Sequence, residues 1–62
     1  MRNGIIIETT AYGNSLKVTA IDAATGIEAT IVADKRTTDK QREAVAIRKL
    51  QWVMKKKAAA KS

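Results

Sequence analysis

Two turns constrain this chain more than any other feature. Gly13-Asn14 is a two-residue loop that tolerates positive φ, set between β-branched stretches of period two. It predicts a hairpin joining a strand from Gly4 to Tyr12 to a strand from Ser15 to Asp22. Asp22-Ala23-Ala24-Thr25-Gly26 reads as a longer turn, with Asp22 bonding forward to the backbone and Gly26 in the left-handed position. A third strand follows from Ile27 to Ala33. The short loop opposes Thr9 to Val18 and Ile7 to Ala20. The longer one opposes Asp22 to Ile27, Ala20 to Ala29 and Val18 to Ile31. Both registers put Ile5, Ile7, Leu16, Val18, Ala20, Ile27, Ala29 and Ile31 on one face. Two independent turns therefore define one core face.

The second half changes period. Thr38-Asp39-Lys40-Gln41 matches a capping box, with Thr38 as N-cap and Gln41 reaching back. From there to about Ala58 almost every residue favours a helix. At about 100° per residue, Ala46, Ile47, Leu50, Val53 and Met54 fall on one stripe. That stripe must cover the sheet face. The expected fold is α+β: a three-stranded antiparallel meander packed on one C-terminal helix, β-β-β-α. Residues 1–58 form a single domain in this reading, and 59–62 a frayed C-terminal tail.

At 62 residues, such a domain buries only roughly 60% of its unfolded surface and is marginal unless something adds to it. Disulfides and thiolate or imidazole metal sites are excluded, since the chain has neither Cys nor His. Oligomerisation is the remaining common addition. No apolar run is long enough to span a membrane. Ile5-Ile6-Ile7 is too short for the core of a signal peptide. The lack of Cys fits a reducing compartment. A cytoplasmic protein without a membrane role is expected.

Charge is divided unevenly. Residues 1–34 hold two basic against four acidic side chains, −2, and residues 35–62 ten against two, +8, for the net +6. This asymmetry points towards an anionic partner. Catalytic chemistry is not in view. Ser15 and the threonines have no His to activate them. Glu8 and Glu28 lie on the first and third strands, with another strand between them. Gly13 and Gly26 are isolated turn glycines and form no phosphate cradle. No enzyme activity, cofactor, metal or small-molecule substrate is expected.

The run Gly13-Asn14-Ser15-Leu16-Lys17-Val18-Thr19-Ala20-Ile21-Asp22, then Thr25-Gly26 and the later pair Lys49-Leu50, resembles a family of short uncharacterised bacterial proteins. That family is a domain of unknown function with the pattern GNxxKVTAIDxxTG and a C-terminal helix. Its members commonly have Pro at the position of Ala23 and a Gly-Pro loop at Asp34-Lys35. Some carry a serine hydroxymethyltransferase label, but 62 residues cannot surround a pyridoxal phosphate. The resemblance implies no catalytic residues.

Two surfaces remain. Trp52, the only tryptophan, falls about 140° around the helix from Ile47, with Val45 near it. Arg48, Lys49, Lys55 and Lys56 surround the pair. The other surface is the second sheet face, where Ile6 opposes Ile21 and Tyr12 and Val32 lie among charged and hydroxyl side chains. Trp52 can lie flat along lysine stems. It can also anchor a homodimer or another protein partner, or stack a nucleic-acid base between phosphate-binding cations. The sheet face itself offers Lys17 against Glu8 and Glu28, a poor surface for DNA. The expectation is a small non-enzymatic protein-interaction or self-associating module, with nucleic-acid binding through the basic helix as the alternative.

Overall fold

A computed structural model describes residues 4–61. The order is β1 (Ile5–Tyr12), β2 (Ser15–Asp22), β3 (Glu28–Asp34) and α1 (Asp39–Lys61). The strands form one antiparallel sheet in the order β1-β2-β3, so the β-β-β-α arrangement stands.

The register is the one the turns dictate. Thr9 faces Val18 and Ile7 faces Ala20, while Val18 faces Ile31 and Ala20 faces Ala29. Gly13 takes φ 57° and Gly26 φ 76°, values that a side chain makes costly. In the second turn the Asp22 carboxylate accepts from the Thr25 N–H at 2.9 Å and the Thr25 hydroxyl at 2.7 Å. The Asp22 carbonyl accepts from Gly26 N–H, and Asp22 N–H donates to Ile27 O, both at 2.8 Å.

Boundaries shift slightly. Gly4 lies in a turn before β1, and β3 runs one residue later than read at each end. The helix continues to Lys61 rather than stopping near Ala58. Ala58, Ala59 and Ala60 are the strongest helix formers and nothing interrupts them. Of the residues read as a tail, Ser62 lies outside the described residues, as do Met1 to Asn3 at the start of the domain.

The capping box forms as read: Gln41 N–H donates to Thr38 Oγ1 at 3.1 Å, and Thr38 N–H donates to Gln41 Oε1 at 2.9 Å. Before it, Asp34 organises the connection. Its side chain accepts from Arg36 N–H at 2.8 Å, and its carbonyl from Thr37 N–H at 3.1 Å. The Arg36 guanidinium, and then the Arg36 N–H, hold the Asp34 carboxyl below the usual carboxylate range, against a small opposing effect of burial.

The core consists of Val18, Ala20, Ala29, Ala46 and Leu50, with Ile5, Ile7, Ile27, Ile31, Ile47, Val53 and Met54 packed around it. Alanines at the helix–sheet junction let the two layers approach closely, at the expense of buried volume. Leu16 is half-buried on the same face. The helix is not centred on the sheet. It lies over β3 and β2 and barely reaches β1, where Thr9 and Ala11 are left exposed on the helix side. The opposite sheet face has no cover among the described residues. There Thr19 and Thr30 hydroxyls bond across the strands at 2.9 Å. No helix among the described residues is long and apolar enough to cross a membrane.

Candidate functional site

The off-centre helix produces the site. Because α1 sits over β3, the flank carrying Val45 and Trp52 does not face away from the sheet. It overhangs the outer edge of β3. A shallow, nearly all-apolar groove runs there, lined by Ile31, Val45, Arg48, Lys49 and Trp52. It continues past Val45 and Ile31 towards Val32, Thr37, Gln41 and Arg42, at the start of the helix.

Trp52 is 58% exposed and Val45 46%, large values for apolar side chains seven residues apart on one flank. Lys56 places its Nζ 4.8 Å from the centre of the Trp52 ring, a cation–π contact one turn along the helix that covers one ring face. Lys49 reaches the other way. Its Nζ donates to the Thr30 carbonyl at 2.6 Å, so it ties the helix to the edge of β3. Arg48 stands in the groove wall. Lys55 is exposed on the next turn and takes no part in the groove.

Of the six residues that the sequence singles out, four line one groove, Lys56 covers its aromatic anchor, and Lys55 stands apart. Two contributors lie outside that set. Ile31 alternates onto the core face and reads there as a plain core residue, yet it also floors the groove. Arg42 reads as one more helix cation, but only 10% of its side chain is exposed. Its guanidinium bonds to the Thr37 carbonyl and to Asp39, and its Nε is buried without a partner. A buried donor with no acceptor costs free energy. Around Trp52 the charged lining of the groove is positive, Arg48 and Lys49, while its far end sets Arg42 beside Asp34, Thr37 and Gln41.

Among the described residues no three acidic side chains gather into a group that could hold a metal ion. The groove is open along its length, and neither Glu8 nor Glu28, both on the other sheet face, lines it. No curated protein and no solved structure matches the chain. A family does: residues 2–57 match a domain of unknown function, and the chain belongs to that family, Domain of unknown function (DUF6898).

Proposed function

We propose that this domain is a non-enzymatic protein-interaction module of the cytoplasm that binds an acidic, partly apolar segment of another protein in the groove between β3 and α1. One observation carries this reading. Trp52 and Val45 are exposed over an apolar floor, and the charged side chains lining the groove between them, Arg48 and Lys49, are both cations. An exposed aromatic in an apolar groove is the usual form of an interface anchor, and charges at the rim select the partner by sign. A second copy is a poor occupant, because two such grooves would bring Arg48, Lys49 and Lys56 of each copy together. Strand addition at β3 is also disfavoured while Lys49 holds the Thr30 carbonyl. Recognition then rests on side chains.

The test is calorimetric titration with a short peptide of alternating Leu and Glu. Trp52→Ala is expected to keep the circular dichroism spectrum and weaken binding by about 2 kcal/mol, a hot-spot-sized loss. Equal affinity of wild type and variant removes the reading.

Nucleic-acid binding is the alternative, favoured by the exposed Arg48, Lys55 and Lys56 around a tryptophan. It predicts that oligo-dT binds more tightly than the peptide and that its affinity falls steeply with salt. Against it, Lys49 is occupied and one Trp52 face is covered.

A further inference from the structure

The groove occupies one side of the sheet; β1 forms the other. Ala23 N–H donates to the Gly4 carbonyl at 2.7 Å, which sets the alternation of the β1–β2 ladder. In an antiparallel pair, hydrogen-bonded and non-bonded residues alternate. Ile6, Glu8, Thr10 and Tyr12 therefore turn their main-chain groups to β2. Ile5, Ile7, Thr9 and Ala11 turn theirs to the free edge. Among the described residues no side chain caps that edge, in contrast to Thr30 on β3. The strand reads IIIETTAY. It has one charge and none of the Pro or Lys residues that usually protect an edge.

We propose that this edge joins a second copy of the chain, β1 to β1 and antiparallel, about a twofold axis at Thr9, to give one six-stranded sheet with both helices on the same face. The occupant follows from the strand's own pattern. Edge bonding requires odd-numbered residues to oppose odd-numbered ones, and two such registers keep most of the strand paired. The register centred on Glu8 sets Glu8 against Glu8, a like-charge pair directly opposite, which is destabilising. The register centred on Thr9 sets Glu8 against Thr10, Ile7 against Ala11 and Ile6 against Tyr12.

That last pair occurs twice and is aromatic against β-branched, among the favourable cross-strand combinations. Ile6 is 39% exposed and Tyr12 58% in the single copy, and Ile6 already faces Ile21 on β2. Dimerisation would extend this into a row of Tyr12, Ile6 and Ile21 across the outer face. The pairing thus covers two of the five large hydrophobic residues left exposed among the described residues of the single copy. It also adds burial to a small domain that has no Cys for disulfides.

The inference goes beyond the groove reading and stands or falls separately, since the two surfaces lie at opposite edges. The chain lacks cysteine, so single thiols report position cleanly. Across the axis, Thr9 meets its own copy at a Cα separation of about 5.5 Å, within disulfide reach. Ala11 meets its own copy about four residues off, roughly 13 Å away.

The wild type is expected to sediment as a dimer that dissociates on dilution, with Trp52 emission unchanged. In oxidised glutathione, Thr9→Cys is expected to form covalent dimer at least ~10-fold faster than Ala11→Cys, a gap set by these separations. Thr9→Lys should sediment as a folded monomer. A wild type that stays monomeric at high concentration overturns the proposal. So does a dimer that Thr9→Lys leaves intact, or one in which the two thiols cross-link at equal rates. A dimer whose Trp52 emission shifts red on dilution would instead place the contact at the groove, overturning the β1 pairing.

Discussion

At one edge of the sheet, β3 carries Glu28 and Asp34, lies under α1 and gives its Thr30 carbonyl to the Lys49 ammonium. At the other, β1 carries Glu8 alone and is barely reached by the helix. Both are outer strands of the same antiparallel sheet, of similar length and similar β propensity. They differ in what the helix does. By leaning over β3, α1 supplies one edge with an apolar groove and a lysine guard, and it leaves the other edge bare. A single off-centre helix therefore makes a three-stranded sheet two-sided, with an apolar side-chain groove at β3 and bare main-chain groups at β1.

The strongest way to break this asymmetry is to detach the helix. Leu50 is fully buried and is the largest such side chain in the core together with Val18. Leu50→Ala is expected to cost about 2–5 kcal/mol, comparable to the whole stability of a domain this size. Thermal unfolding followed by circular dichroism should show no cooperative transition above room temperature. A melting curve close to wild type would mean that α1 contributes little to the fold.

A gentler change removes the guard alone. Lys49→Met keeps the apolar stem and deletes the donor to Thr30. Stability should change by no more than about 1 kcal/mol, the scale of one hydrogen bond. The edge of β3 becomes available, so sedimentation should reveal species larger than those of the wild type. Identical size distributions would show that Lys49 does not protect this edge.

The smallest effect concerns the end of β3. Asp34 is about half exposed and held below its ordinary value of 3.8 by Arg36. A carboxyl with a depressed folded-state pKa stabilises above the unfolded value and loses that contribution as pH falls through the folded one. Asp34→Asn should thus melt slightly below wild type at pH 7, and the gap should close as the pH drops below 3.8. A gap that persists in acid would assign the effect to shape rather than charge.

Most of the fold was legible because the determinants are local. Gly13-Asn14, Asp22 with Gly26, and Thr38 with Gln41 each act within a few residues, and each does what its chemistry requires. The lateral position of α1 is not local. It depends on how Ala46 and Leu50 settle among Val18, Ala20 and Ala29, and no periodicity encodes that choice. Hence the angular position of Trp52 was readable, but not that this flank overhangs Ile31. The contacts of Arg42 and Lys49 escaped for the same reason. Their identity as helix cations was plain, while their partners, Thr37 and Thr30, lie across loops or layers. The groove was half visible: its charged rim in the sequence, its floor only in the fold.

Strand order along the chain and strand order in the sheet are the same, and the two connections are tight turns. The sheet can therefore zip outward from Gly13-Asn14 without closing a long loop, each hairpin forming on a timescale of about 1–10 μs. Mixed helix–sheet domains of this kind fold at rates between those of helical bundles and all-β folds. The slow step left is the arrival of α1 across the short link from Asp34 to Thr38. Until it docks, β1 and β3 are equivalent bare edges, so the interval before docking is when this protein is most open to mispairing.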